Sequence, residues 1–302
     1  MALYKYTSTI FSEIKEKPFK LEREIQRMFE TNLFQIMGLE MVKSEFSIKD
    51  RRIDTLAFDP QSKAFVIIEY KRERNSSVID QGFTYLSLML QNQADFILEY
   101  NETQTKSLKR DDVDWSQTKV VFVSQGFTTN QREAVNFKDL AIELWEVKRY
   151  ENDSVSITPI RRSHASASIK TVMQNSQEYK EVTENIKEYS EENLLKGKSD
   201  EVAELYESYK NAILNLDTDI EVKPQKWYIT FKKANNHICS IETQKGGIKI
   251  TINVPKGNLD DSKQLTRDVA SVGHLGNGDY AIKVSDTKYL EYIMSLIKQA
   301  IK

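Results

Sequence analysis

Two apolar segments joined by a turn constrain the fold of this chain more than any other part of it. The first covers residues 52–58, the second covers residues 65–68, and the turn between them begins with Asp59-Pro60. An aspartate and a proline between two segments rich in strand-forming residues predict an antiparallel hairpin. A segment as apolar as the second is typical of a strand that is buried on both faces.

The register of this hairpin brings three charged side chains together. If pairing is symmetric about the turn, Phe58 lies opposite Phe65, and the same sum of positions places Asp54 opposite Glu69. Side chains alternate across a strand, so Lys71 points the same way as Glu69. Two carboxylates and an ammonium group therefore converge at one end of the predicted hairpin.

The three residues predict a metal-dependent hydrolytic site. Magnesium takes oxygen ligands, commonly one or two carboxylates together with water and substrate phosphate, and Asp54 and Glu69 would supply them. Lys71 could position or deprotonate the attacking water and offset the charge that builds on the phosphate. The alternative is an ordinary strand pair with charges on an exposed face. The apolar segment before Glu69 favours the functional interpretation, because a buried glutamate needs a partner.

These residues resemble the motif of the PD-(D/E)XK, or restriction-endonuclease-like, nuclease superfamily. Asp54 matches the first acid, Glu69 the second and Lys71 the lysine, while Ile53 stands where the motif has proline, a frequent departure. The resemblance implies an α/β (α+β) fold with a mixed sheet flanked by helices. It also implies an endonuclease that uses Mg²⁺, with Mn²⁺ as an alternative, and acts on nucleic acid, with DNA the expected substrate.

A second motif lies in the helix predicted for Val78 to Gln91. Gln81 and Tyr85 are similar to the Gln-x-x-x-Tyr motif in the recombination-nuclease branch of the superfamily. They are four residues apart and so share one face of the helix. The resemblance implies that they face the metal site or the nucleic-acid backbone and belong with the catalytic residues. Alternatively, Tyr85 is a core aromatic residue and Gln81 an amide on the helix surface.

The segment Lys20 to Phe34 is predicted to be an amphipathic helix. Members of the superfamily often add a carboxylate to the site from such a leading helix. Glu22 and Glu24 are the candidates and Glu22 is preferred, although either could be a solvated surface charge. Glu45, in the strand predicted for Met41 to Phe46, could also approach the site or could be a charged strand end.

The remaining segments complete two predicted domains with a connection between them. After the leading helix, the first domain reads β-β-β-α-β-α-β, with a strand at Lys119 to Ser124, a helix at Asn130 to Leu140 and a strand at Ile142 to Tyr150. The predicted boundaries are residues 1–150 for the nuclease-like domain, 151–190 for a partly helical connector and 191–302 for a smaller α+β domain.

The second predicted domain combines helices broken near Gly197 with several strands. Its strands are predicted at Lys226 to Phe231, His237 to Glu242, Gly247 to Val254 and Tyr280 to Val284, and its later helices at Gln264 to Val269 and Lys288 to Ile301. The last hundred or so residues resemble a bacterial domain family of unknown function, sometimes labelled a predicted transport protein. The resemblance depends on a glycine-rich motif in which His274, Asn277 and Asp279 could bind a ligand, or in which the glycines simply form a turn.

Composition limits the classes of function. The chain has 302 residues, of which 39% are hydrophobic and 29% charged, enough for two globular domains that each bury a core. No apolar run reaches membrane-spanning length, and the first residues do not read as a signal peptide. With a single cysteine, Cys239, these features lead us to expect a cytoplasmic protein. The net charge of −2 means that phosphate contacts would come from local basic patches and the metal.

Two functional alternatives remain beside the nuclease. The chain could be a nucleic-acid-binding or regulatory module that does not cleave, and the C-terminal domain could sense a ligand or a partner. A homodimer is one expected arrangement, because cleavage of both strands of a duplex usually needs two active sites. The sequence does not specify a recognition site, since base readout depends on loop geometry.

Overall fold

The fold consists of two compact units, Met1–Glu188 and Tyr189–Lys302, each with its own hydrophobic core. The computed structural model describes residues 2–72, 78–137, 140–161, 182, 184–187, 189–233, 236–272 and 275–301. None of the helices in these ranges has the length and apolar character needed to cross a membrane.

The first unit begins with a hairpin and continues with helices and the strands of a mixed sheet. Its elements are β1 (Leu3–Thr7), β2 (Ile10–Ile14), α1 (Glu22–Thr31), α2 (Leu33–Met37), β3 (Glu40–Ile48), β4 (Arg51–Asp59), β5 (Ala64–Lys71), α3 (Val78–Gln91), α4 (Gln93–Thr103), β6 (Lys119–Ser124), α5 (Thr129–Ala134), β7 (Ile142–Arg149) and β8 (Val155–Pro159).

The main sheet of this unit has six strands in the order β3-β4-β5-β6-β7-β8. Strands β5, β6 and β7 are parallel, and the other neighbours are antiparallel. Helices α1 and α2 pack on one face and α3 and α4 on the other. The mixed sheet flanked by helices is the predicted fold class.

Strand β5 is buried on both faces, as its apolar sequence predicts. Phe65 and Ile67 join the core beneath α3 and α4, whereas Val66, Ile68 and Tyr70 join the core beneath α1. The pairing with β4 places Phe58 opposite Phe65, which confirms the predicted register. The same register places the two acidic residues next to each other, just beyond the last pair, Thr55 and Ile68.

Several elements differ from the sequence-based prediction. The leading helix is two helices, because α1 ends at Thr31 and α2 begins at Leu33. Gly38, with a φ of 69°, caps the end of α2. The hairpin β1–β2, helix α4 and strand β8 were not predicted. Strand β8 lies in the segment expected to be a connector, and its partly exposed edge position explains its polar sequence. Residues 162–181 of that segment lie outside the described residues.

The second unit is built on a six-stranded antiparallel sheet in the order β13-β14-β12-β11-β10-β9, against which two of its helices pack. Its elements are α6 (Glu191–Leu195), α7 (Asp200–Leu214), β9 (Ile220–Pro224), β10 (Ile229–Lys233), β11 (Asn236–Gln244), β12 (Gly247–Ile252), β13 (Arg267–Asp268), β14 (Tyr280–Val284) and α8 (Leu290–Lys298).

The helix predicted at Gln264 to Val269 is wrong. Gln264 has a φ of 53°, which a right-handed helix does not allow. Asp261 Oδ2 instead accepts hydrogen bonds from the backbone nitrogen and the hydroxyl of Thr266, each at 2.8 Å, and Arg267–Asp268 then pairs with β14. A side chain that binds the backbone offers the segment an alternative to helix formation.

Candidate active site

Asp54 and Glu69 lie side by side, just beyond the last paired residues of β4 and β5. The backbone nitrogen of Asp54 donates a hydrogen bond to Glu69 Oε1 at 3.2 Å, and the backbone nitrogen of Tyr70 donates to Asp54 Oδ2 at 3.0 Å. Each carboxylate is therefore fixed by the backbone of the opposite strand. The predicted convergence of the two acids occurs in the structure.

Lys71 and Gln81 approach the second oxygen of Glu69. Glu69 Oε2 accepts from Lys71 Nζ at 3.4 Å and from Gln81 Nε2 at 3.3 Å. Gln81 Nε2 also donates to the Tyr85 hydroxyl at 3.3 Å, and that hydroxyl donates to the carbonyl oxygen of Arg52 at 3.3 Å. Tyr85 is thus a buried aromatic residue whose polar end reaches the site. Gln81 faces inward and is not a surface amide.

Burial governs the charge of the two carboxylates. Burial raises the pKa of Glu69 to about 7, and the neighbouring Asp54 raises it as well, while the Lys71 ammonium opposes both effects. Burial also raises the pKa of Asp54, against the hydrogen bond from the Tyr70 nitrogen and the charge of Lys71. One lysine does not compensate the pair, so a second positive charge would stabilise its fully ionised form.

This donor set suits a hard divalent cation. Carboxylate oxygens are the ligands that Mg²⁺ prefers, and such sites are commonly completed by water and substrate phosphate. Within the described ranges, no set of three or more histidine, cysteine, aspartate or glutamate side chains is arranged to hold a metal ion. With only the two carboxylates Asp54 and Glu69, this site could hold a cation only if water or substrate completed the coordination.

The two leading-helix candidates have different partners. Glu22 Oε1 accepts a hydrogen bond from the backbone nitrogen of Arg72 at 2.7 Å, and its charge contributes to the raised pKa of Asp54. Glu24 Oε2 pairs with Arg149 Nη2 at 3.3 Å. Glu22 therefore contacts the chain where β5 ends, at the residue that follows Lys71. Glu24 is instead directed toward β7.

A buried glutamine behind the site was missed by sequence reasoning. Gln26 on α1 is 7% exposed, and its Nε2 donates to the carbonyl oxygen of Asp54 at 3.0 Å and to Glu30 Oε1 at 3.1 Å. Glu30 Oε1 also accepts from the Thr55 hydroxyl at 2.6 Å. The sequence places Gln26 on the same face of the helix as Glu22, four residues earlier, but it does not show that this face turns toward the sheet.

Glu45 is part of the same network and is not a charged strand end. It lies inside β3, where its carboxylate pairs with Arg52 Nε at 2.9 Å and accepts from Gln26 Nε2 at 3.2 Å. Its φ of 54° is rare for a residue other than glycine. Strained backbone of this kind is concentrated at functional sites.

The glycine motif of the second unit has a backbone explanation. Gly276 and Gly278 have φ values of 84° and 114°, and an added Cβ would collide with Ser240 Oγ and the Ile252 carbonyl oxygen, respectively. Asp279 Oδ2 accepts from the backbone nitrogen of Lys256 at 2.7 Å. Gly273 and His274 lie outside the described residues. Cys239 is buried in β11 and burial raises the pKa of its thiol, which suits a structural residue.

Comparison with known proteins gives a family match for the second unit and distant likenesses for the chain. Residues 191–302 match a family described as "Domain of unknown function (DUF5655)". A solved EndoMS–dsDNA complex has 15% identity and a TM-score of 0.30, covering 45% of this chain and 50% of that chain. A repair endonuclease from Pyrococcus abyssi has 16% identity and a TM-score of 0.26, covering 44% and 50%. The chain thus spans about half the length of these two structures.

A relative from Haemophilus influenzae (strain ATCC 51907 / DSM 11121 / KW20 / Rd) is similar over nearly the whole length of the chain. It carries the name "Uncharacterized protein", and it is 55% identical over 291 residues, which cover 96% of each of the two sequences. Identity at this level includes both units. The chain therefore belongs to the family of this Haemophilus influenzae protein.

Proposed function

We propose that the first unit is a nuclease that hydrolyses phosphodiester bonds, with DNA as the expected substrate. Asp54 and Glu69 would hold a divalent cation, Mg²⁺ or Mn²⁺. The observation that carries the proposal is the pair of adjacent carboxylates, the buried Glu69 and the partly buried Asp54, in which Glu69 also contacts Lys71 and Gln81. A buried pair with raised pKa values in contact with a lysine is the kind of environment found at catalytic sites.

Each side chain has a role that follows from its position. The bound cation would polarise the phosphate and lower the pKa of the attacking water. Lys71 would orient that water and offset the charge that builds on the phosphate as a P–O bond breaks. Gln81 and Tyr85 would keep Glu69 oriented and contact the nucleic-acid backbone. Glu22 would act as a positioning residue through its hydrogen bond to the backbone after Lys71.

The proposal is tested by incubating the protein with linear, circular, single-stranded and branched DNA, and with RNA. Each substrate is combined with Mg²⁺, with Mn²⁺ or with chelator. We expect cleavage that needs the cation and that falls roughly 100-fold or more in Asp54→Asn and in Lys71→Met, because each loses charge stabilisation at the reacting phosphate.

A matched lysine separates catalysis from general electrostatics. Lys119 pairs with Glu143 at 3.0 Å, and the side chains of Lys71 and Lys119 are both 22% exposed. Lys119→Met should therefore retain cleavage. Cleavage that persists in chelator or in Asp54→Asn contradicts the mechanism. If no substrate is cleaved, the assignment moves to a nucleic-acid-binding module that does not cut.

A homodimer forms part of this proposal for duplex substrates. One active site cuts one strand at a time, so a double-strand break needs two sites that face opposite strands. Analytical ultracentrifugation with and without duplex DNA measures the stoichiometry. If the protein is a monomer and makes only single-strand nicks, the proposed double-strand cleavage by a homodimer is wrong.

A further inference from the structure

Hairpin β1–β2 carries three exposed aromatic rings on one face. Tyr4, Tyr6 and Phe11 are 52%, 62% and 68% exposed. The register pairs Tyr6 with Phe11, whose ring centroids are 4.9 Å apart, and the Tyr4 and Phe11 centroids are 6.1 Å apart. The rings form one continuous aromatic surface, and contiguous apolar surface of this kind marks interaction sites.

The hairpin is a two-stranded sheet outside the six-stranded sheets. Two-stranded hairpins are marginally stable in water when isolated. This one is joined at its base to the main sheet, where Lys17 N donates to the Arg149 carbonyl at 2.8 Å and Glu151 N donates to the Lys15 carbonyl at 3.0 Å. A ligand that covers the rings would therefore stabilise the hairpin as well as bind to it.

The charge of the segment that leads from the rings to the candidate active site suits a polyanion. Residues 2–21 contain four lysines and two glutamates, a net charge of +2, whereas the whole chain has a net charge of −2. One of the two glutamates, Glu16, is paired with Lys148 Nζ at 2.7 Å. The rings share their face with Glu13, so the lysines that could follow the phosphates are those of residues 15–20, between the hairpin and the candidate active site. Exposed rings followed by lysines match the way proteins bind single-stranded nucleic acid, in which bases stack on the rings and cations follow the phosphates.

The hairpin is also continuous with the candidate active site. Residues 15–21 connect β2 to Glu22, and Arg72 Nη1 donates to the Lys20 carbonyl at 3.4 Å. Eight Cα steps separate Ile14 from Glu22, so the two lie at most about 29 Å apart. Roughly eight stacked nucleotides at about 3.4 Å each would be enough to span this upper limit.

We propose that hairpin β1–β2 is a stacking platform for unpaired bases of the strand that enters the nuclease site. The substrate class would then be DNA with a single-stranded segment, such as an overhang, a flap or a gap. This inference rests on the proposed function, because it assigns the substrate of the same site.

The test measures binding without cleavage, by fluorescence anisotropy of the full-length protein in chelator. The ligands are a 15-nucleotide single strand, a 5-nucleotide single strand, a blunt duplex and a duplex with a 15-nucleotide overhang. We expect the 15-nucleotide strand and the overhang to bind better than the other two. A variant with Tyr4→Leu, Tyr6→Leu and Phe11→Leu should lose at least roughly tenfold in affinity for them, because leucine keeps apolar area but cannot stack.

Two controls separate stacking from other effects. Phe34→Leu changes an aromatic side chain that is 65% exposed elsewhere on the unit and should leave binding unchanged. Tyr4→Phe with Tyr6→Phe keeps the rings and should also bind normally, which shows that the rings matter and the hydroxyls do not. Circular dichroism confirms that each variant is folded. Equal affinity of the triple leucine variant and the unmodified protein for the overhang overturns the proposal.

The outcomes distinguish this inference from the proposed function. Cleavage that depends on Asp54, together with unchanged single-strand binding in the leucine variant, keeps the nuclease and rejects the platform. Loss of single-strand binding in a protein that cleaves nothing keeps the platform and rejects the nuclease. A change in sedimentation of the triple leucine variant without a change in DNA affinity rejects the platform and assigns the rings to contact with a second copy of the chain.

Discussion

Glu69 is the residue at which the demands of folding and of chemistry conflict most directly. It is 2% exposed in a strand whose neighbouring side chains are apolar, and two carboxylates meet there. A buried acid without a compensating partner is costly. The contacts from Lys71 and Gln81 reduce that cost, and they also hold the carboxylate in one orientation.

At the residue scale, Tyr85→Phe tests whether the hydroxyl orients the site. Its loss would free Gln81 from one of its two acceptors and leave the Arg52 carbonyl without this donor. We expect cleavage to fall about tenfold, with a loss in the free energy of unfolding of about 1 kcal/mol. The measurements are kcat/KM on the best substrate and urea denaturation.

Tyr100→Phe is the matched control. The Tyr100 hydroxyl donates to Glu40 Oε2 at 3.2 Å from the same core, away from the site. It should lose similar stability and keep full activity. Equal activity loss in the two variants would show that Tyr85 acts through stability alone.

The two acidic residues of the site can be predicted from the sequence, whereas the residues that support them from α1 cannot. The positions of Asp54 and Glu69 follow from the turn at Asp59-Pro60, because strand pairing converts a local signal into a register. Gln26 and Glu30 reach the site from a helix that precedes both strands in the chain. Their contribution depends on how that helix is rotated against the sheet, which a single periodic pattern does not determine.

At the element scale, the close approach of α3 to the sheet positions Gln81. Gly82 makes this possible, since an added Cβ would lie 2.8 Å from Ile142 Cγ1 and 3.4 Å from Phe122 Cε2. Both of these side chains are fully buried, so the helix would have to move away from the sheet.

We therefore expect Gly82→Ala to destabilise the protein by about 1–3 kcal/mol and to lower cleavage, because Gln81 moves with the helix. Thermal denaturation and cleavage rates measure the two effects. Gly246→Ala is the control, since a Cβ at that position meets nothing within 4 Å. Unchanged stability in Gly82→Ala would contradict the tight packing of α3.

Element prediction was most accurate where one pattern dominates. Helix Val78–Gln91 and strand Lys119–Ser124 have the predicted bounds, because an uninterrupted periodic or β-branched segment is bounded by clear ends. Helix α4, which follows α3 directly after Asn92, was not predicted as a separate helix. The hairpin β1–β2 was not predicted because both of its strands are exposed. Such strands do not need the alternation of apolar and polar residues that identifies a half-buried strand.

At the scale of the whole molecule, stability should depend on pH and on the cation together. The pKa of Glu69 in the folded protein is about 7, above its ordinary value of 4.5. Between these values the folded state holds a proton that the unfolded state has released, so stability from this group falls as pH rises toward 7 and stays lower above it. A bound cation favours the ionised form and should restore the loss.

We expect Mg²⁺ to raise the unfolding midpoint more at pH 8 than at pH 5.5. Glu69→Gln, which removes this titrating group, should show a smaller effect of pH on the stabilisation by Mg²⁺ and should respond weakly to the cation. Differential scanning calorimetry measures the midpoints. Labelling of Cys239, which is buried in the second unit, reports separately on that unit and should not respond to Mg²⁺. A larger stabilisation at pH 5.5 would contradict the linkage.

The parallel pairing of β5 and β6 has a consequence for how the protein is made. Glu69 lies opposite Phe122, so the strand that carries the acid finds its parallel neighbour only after the chain has passed through α3 and α4. Long-range pairing of this kind forms late in folding, because the intervening loop must close first. A nascent chain of which only β1 to β5 and the first helices have left the ribosome would expose an incomplete cluster of charges. The proposed cleavage activity would therefore arise only once the first unit is complete.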